Sequence, residues 1–286
     1  MNMKKIQVLL WLAGCLFLFV RCDKIEGPYL EKEQSVTVDT PYFEVKSDFY
    51  RKYLLEDYTG QACTNCPKAH AIMHQLQSGM ADTLVCMAVH SGVYATPSEG
   101  LYEADYRTEL GNSWSTYFSV SNYPSGMINR KVMSNGKRVL AYTLWSKVLD
   151  TLTRTEPEIG LQIRDTALAS ISDTDYVFVK VSFLKQTSRQ LRLYVVLLED
   201  SIVSPQLNGI QIDTNYVHNH MLRTNISPLQ GSVLNAGEVL EKGASTIRAY
   251  PLFRQPAWRW KHCSVLAFVC DAETEEVLQT EQLRCR

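Results

Sequence analysis

The sequence predicts an α/β domain over residues 46–155, followed by an all-β sandwich domain over residues 156–286. Three observations carry this reading. Strand-like and helix-like patterns alternate through the first region. A Cys-x-x-Cys-Pro run, Cys63 to Pro67, sits between a strand pattern and a helix pattern. From about residue 157 the helical period disappears and β-rich runs take over.

Composition bounds the function. At 286 residues the chain is long enough for about two domains. It is 45% hydrophobic and 21% charged, which excludes a largely disordered chain. Twenty-nine Lys and Arg against thirty Asp and Glu leave a net charge of −1, so nucleic acid is not an expected partner. Eight cysteines are many for a reducing cytosol and too few for a disulfide-built scaffold.

Lys4 and Lys5 precede an apolar run from Ile6 to Val20, in which only Gln7 is polar. That run of about 15 residues is shorter than the roughly 20 of a membrane-spanning helix and fits a secretory h-region. It stops at Cys22 with polar residues beyond, and no A-x-A cleavage site is present. Residues 1–21 are therefore expected to be a lipoprotein signal peptide, with Cys22 as the acylated residue. Leu12-Ala13-Gly14-Cys15 is the better lipobox by letters. Processing there would leave Leu16 to Val20 as an apolar stub, although Arg21 before Cys22 is unusual. A plain signal peptide with incidental cysteines is the bland alternative. Acyl chains, at about 0.8 kcal/mol per buried CH₂, would anchor the protein without a spanning helix.

Residues 22–45 read as a polar tether with an initial strand at Ser35–Val38. Tyr53 to Tyr58 is a strand candidate. Ala69, Ile72, Met73 and Leu76 recur at helical spacing between Pro67 and Gln77. Thr83 to Val89 is nearly all apolar, as in a strand buried on both faces. Glu99 to Phe118 reads as a polar helix. Gly126–Arg130 and Val139–Ala141 flank Asn135-Gly136, a hairpin signal. Thr143 to Leu152 closes the region as a helix. Beyond Pro157 the runs Tyr176–Phe183, Leu191–Leu198 and Ser264–Val269 are strands of a sandwich.

The Cys pair carries the chemistry. Pro67 fits the first turn of a helix, where its missing N–H costs nothing. Cys63 at that helix N-terminus would have its thiolate stabilised by unpaired N–H groups and the helix dipole. Cys66, one turn in, could resolve a mixed disulfide on Cys63. In a thioredoxin-type fold a cis-proline packs against such a pair, and Pro124, before the Gly126–Arg130 strand, is the candidate. Asp57, six residues before Cys63, is preferred over its neighbour Glu56 as the buried carboxylate that moves a proton from Cys66.

Leu55–Gly60, Cys63-Thr64-Asn65-Cys66-Pro67-Lys68-Ala69-His70, Tyr123–Gly126 and Asn129-Arg130 resemble the Bacteroidetes lipoprotein family related to the 28-kDa outer-membrane protein. Leu198-Glu199-Asp200, His218–Arg223 and Leu266–Asp271 resemble that family's C-terminal domain. The resemblance spans nearly all of the chain beyond the signal peptide. It implies an outer-membrane lipoprotein with a thioredoxin-like domain and an immunoglobulin-like β-sandwich. It implies adhesion or envelope thiol chemistry rather than one established reaction.

Two functions are open on these residues. The first is a thiol–disulfide oxidoreductase acting on exported or surface proteins, with Cys63, Cys66, Pro124 and Asp57 as its site and no cofactor. The second is a non-enzymatic binding or adhesion lipoprotein in which the Cys pair is structural. A metal-handling role would need His70, four residues after Cys66, and no metal site is assigned. Cys86 reads as a buried inert thiol. Cys263 and Cys270, seven apart, should face opposite sides of one strand, so a Cys270–Cys285 bond is the candidate in the β region. His218-Asn219-His220, with Arg223, reads as structural. Trp258 and Trp260 would share one face of a strand.

Overall fold

The buried strand Tyr53–Thr59 (β1) organises the first half. Its seven residues are all buried, so both faces of the strand lie against protein. The computed structural model describes residues 40–152, 156–166 and 174–285. The expected signal peptide, Cys22, its competitor Cys15 and the Ser35–Val38 strand lie outside the described residues.

After β1 come helix Cys66–Met80 (α1), strand Leu84–His90 (β2) and helix Glu109–Tyr117 (α2). Strands Ser125–Ile128 (β3) and Leu140–Ala141 (β4) and helix Trp145–Thr151 (α3) complete the region. The helix expected over Glu99–Phe118 is shorter, because Thr108 caps it. The Thr108 hydroxyl accepts from Gly111 N at 2.9 Å, and residues 103–107 are irregular.

The second half is strands: Ile159–Thr166 (β5), Thr174–Phe183 (β6), Leu191–Glu199 (β7), Ile202–Val203 (β8), Gln206–Asn208 (β9), Gln211–Asp213 (β10) and Val217–His218 (β11). Met221–Asn225 (β12), Ser232–Val233 (β13), Ser245–Phe253 (β14), Cys263–Asp271 (β15) and Val277–Arg284 (β16) follow. The fold is β-rich, with few helices and a mixed sheet.

A nine-stranded sheet runs β16-β15-β7-β12-β2-β1-β3-β4, with β13 on β7. β1 pairs parallel to β2 and antiparallel to β3. β12 joins β2 in parallel through Met221 and Ala88. The sheet therefore crosses the division expected at residues 155/156. A second sheet, β14-β6-β5, shares one apolar core with the β7 and β15 face.

Alternation along β1 divides the cores. Leu54 and Tyr58 pack with Val196, Leu198 and Phe268, while Tyr53 and Leu55 pack with Ala69 and Met73 of α1. Gly126 is required where β3 meets β1, because a Cβ there would run into the Glu56 carbonyl.

Two expectations fail. Trp258 and Trp260 are not on a strand. A turn bond from Trp258 N to the Gln255 carbonyl leads into a 3₁₀ turn at Trp260–His262, and both rings pack on the core between the sheets. Cys270 and Cys285 are free thiols on opposite faces of the sheet, so they cannot bond to one another. Cys270 lies opposite Val277, past a register shift. Cys86 is a buried free thiol, and burial pushes its pKa up.

Candidate functional site

β1 ends at Thr59, and the chain turns through Gly60 to Cys63 before α1 begins at Cys66. The turn is held by Cys63 N to the Gly60 carbonyl at 3.1 Å and by Ala62 N to the Tyr94 carbonyl at 2.9 Å. A side chain at Gly60 would collide with the backbone of Tyr94 and Ala95. Cys63 and Cys66 form a disulfide with Cα atoms 5.4 Å apart. The Tyr123–Pro124 peptide is cis. Ser125, which follows, pairs with Tyr58, so Pro124 enters the sheet at the end from which the Cys loop leaves.

Both cysteines are buried: Cys63 is 2% exposed and Cys66 0%. The cover comes from the second half of the chain. The Gln206 side-chain amide donates to the Gly60 carbonyl at 3.2 Å and the Cys63 carbonyl at 3.1 Å. Leu207 N donates to the Gln61 carbonyl and Gly209 N to the Thr64 carbonyl. Sequence patterns missed this segment, because 204–209 is a polar, turn-rich stretch without a period.

Beneath the loop lies a polar cluster. Strand alternation points Asp57 and Thr59 toward α1. Asp57 is fully buried, and among the described residues neither of its oxygens has a hydrogen-bond partner. Asp57 Oδ2 lies 3.3 Å from His70 Nε2, which also meets Thr59 Oγ1 at 3.0 Å. The other ring nitrogen, His70 Nδ1, lies 2.7 Å from Tyr216 OH. His70 is thus held by protein on both nitrogens. Among the described residues no group of three or more His, Cys, Asp or Glu could hold a metal ion.

His90 ends β2 opposite Thr59, with its ring 5.6 Å from that of His218. Neither His90 nitrogen has a hydrogen-bond partner among the described residues. Burial pushes the His90 pKa well below its ordinary value, and His218 and His70 push it further. Burial likewise lowers His218 to about 4. A polar residue ending the apolar run Leu84–Val89 was the available signal for His90. His220 and Arg223 sit apart, pairing with Asp200 at 3.4 Å and Glu199 at 3.3 Å.

Glu56 points the other way. Its carboxylate accepts from Arg130 Nε at 2.9 Å and Arg130 Nη2 at 2.8 Å. Trp114, Phe118, Tyr194 and Phe268 surround that guanidinium, with ring centroids 4.4–5.6 Å from it. This arrangement separates the two carboxylates that the sequence left side by side.

The fold has known likenesses. HBP35 of Porphyromonas gingivalis superposes with a TM-score of 0.60 at 16% identity, over 84% of this chain and 77% of that one. Protein AGR_C_4864 from Agrobacterium tumefaciens gives 0.47 at 11% identity, over 83% and 96%. A domain of the outer membrane lipoprotein Omp28 from P. gingivalis gives 0.33 at 19% identity, over 46% and 89%. No curated protein matches the chain in sequence. No helix among the described residues is long and apolar enough to cross a membrane. Residues 111–285 match the family model of outer membrane protein Omp28, and the chain belongs to that family.

Proposed function

We propose that this envelope protein is a thiol–disulfide oxidoreductase acting on exported or surface proteins. Its anchor is the lipid on Cys22, its redox site belongs to a thioredoxin-like region at 46–155, and residues 156–286 form a β-sandwich. In the reduced form the Cys63 thiolate attacks a substrate disulfide and one substrate sulfur leaves. Cys66 then gives its proton to Asp57 and displaces the second sulfur, restoring the Cys63–Cys66 bond. The substrate gains two electrons; Asp57 passes its proton to the departing thiolate, and the other thiolate takes from water the proton that Cys63 released on ionising. Pro124 borders the site where the substrate backbone docks.

One observation carries this reading. Asp57 is a fully buried carboxylate with no hydrogen bond among the described residues. Such a group costs stability, and a disulfide that merely braces a fold has no use for it. A proton acceptor beside the helix that Cys66 begins does have a use for it. The cover through Gln206 must open for substrate to reach Cys63.

The 2% exposure of Cys63 favours a second reading, a binding lipoprotein braced by a structural disulfide. A redox titration separates the two. A midpoint between about −120 and −270 mV fits a working couple, and one below about −300 mV fits a brace. Disulfide reductase activity that survives Cys63→Ser would overturn the first reading.

A further inference from the structure

We propose that Cys263 and Cys285 form a second disulfide, which fastens β16 to β15 in the mature protein. The ladder puts them face to face. Ser264 pairs with Arg284, so Cys263 lies directly opposite Cys285, and Cys285 N donates to the Cys263 carbonyl at 3.0 Å. Residues opposed in a hydrogen-bonded antiparallel pair have Cα atoms about 5.5 Å apart. That separation lies at the commonest spacing of protein disulfides, about 5.5–6 Å.

Direction agrees with distance. Cys263 shares its parity on β15 with Val265, Ala267 and Val269, and all of these line the core between the two sheets. Cys285 belongs to the same core. The two side chains therefore project from adjacent strands to the same side. Both thiols are buried, and burial raises each to about 12, the proximity of Cys263 raising Cys285 further. Among the described residues the Cys263 thiol makes one weak contact, to the Arg259 carbonyl at 3.6 Å. Bonding the sulfurs removes two poorly satisfied donors from an apolar core.

The location supplies the chemistry. Disulfides persist in the cell envelope, where this family resides. Oxidation proceeds by exchange with an organic disulfide, either of an envelope thiol oxidase or of a small thiol. One cysteine thiolate attacks that disulfide and releases a thiol. The other cysteine then displaces the second thiol. Two protons and two electrons pass from the cysteine pair to the oxidant. β16 is the edge of the nine-stranded sheet, where fraying would otherwise begin.

The test uses the full chain isolated from cell envelopes, with free thiols alkylated in denaturant before any reduction. Trypsin cuts after Lys261 and Arg284, so the bond joins peptide 262–284 to the peptide that starts at Cys285. The expected result is that joined species, with the alkyl label on Cys86 and Cys270 and none on Cys263 or Cys285. Alkylation of both Cys263 and Cys285, or a bond from Cys285 to Cys270, overturns the proposal. In addition, Cys285→Ser should lower the thermal midpoint of oxidised protein by clearly more than that of fully reduced protein. An equal loss in both states also overturns it. Full reduction opens the Cys63–Cys66 bond in wild type and variant alike, so that bond cancels in the comparison and the outcome is independent of the redox reading.

Discussion

Glu56 and Asp57 are consecutive, both fully buried and both acidic, yet the two faces of β1 treat them in opposite ways. On one face Glu56 is held by a bidentate guanidinium inside an aromatic cage. That cage draws Trp114 and Phe118 from the first half of the chain and Tyr194 and Phe268 from the second. Burial acts to lower the Arg130 pKa, but the Glu56 carboxylate outweighs it and holds it above the ordinary value. On the other face Asp57 has one histidine at 3.3 Å and no hydrogen bond among the described residues. Satisfied buried charge specifies a packing, whereas unsatisfied buried charge stores reactivity.

Removing Arg130 should have the largest effect. Arg130→Ala strands the Glu56 carboxylate in an apolar core, at a cost of about 3–5 kcal/mol by urea unfolding. Adding Glu56→Gln to it should recover part of the loss. Fully additive losses would break the comparison.

Acid should act on the opposite face. The folded pKa of His218 lies near 4, below the roughly 6.5 of an unfolded chain. The unfolded state therefore binds more protons between those values, and stability falls as pH drops from about 6.5 to about 4. The His218 share is roughly 3 kcal/mol at about 1.4 kcal/mol per pH unit. His90, also lowered by burial, adds to it in the same direction. Urea titrations at a series of pH values should show this slope flattened in His218→Asn.

Asp57→Asn should separate function from stability. Thiol–disulfide exchange should slow by about 100-fold, the lower end of general acid–base contributions. Stability should stay level or rise, because a buried carboxylate without a hydrogen bond among the described residues is gone. A clear loss of stability would mean that Asp57 is structural. The smallest effect belongs to Gln206→Ala. Losing its bonds to Gly60 and Cys63 should speed reduction of the disulfide by dithiothreitol about tenfold, equivalent to about 1.4 kcal/mol.

What was legible follows from physical range. β1, α1 and β2 are visible because their apolar residues recur locally, and the Cys pair is visible because its spacing is fixed. That Glu56 and Asp57 have separate partners needed the strand's facing direction, which Arg130 reveals only in three dimensions. Pairing of β12 with β2 left no local trace, since it joins strands more than 130 residues apart through the pair Met221 and Ala88 and the bond from Ala88 N to the His220 carbonyl. The Trp258/Trp260 alternation was misleading because the turn from Gln255 overrides it. Gln206 acts through its amide on carbonyls of a remote loop, and no periodicity announces such a bond.

The strand pairing at Met221 and Ala88 has a practical consequence. Cutting the gene near residue 155 to obtain a minimal Cys63–Cys66 fragment would strip the neighbour from β2 and leave a bare, sticky edge. It would also remove Gln206, whose amide holds the Gly60 and Cys63 carbonyls. An assay on such a fragment would report a molecule that nature never displays, so dissection of this protein should proceed by single substitutions in the intact polypeptide.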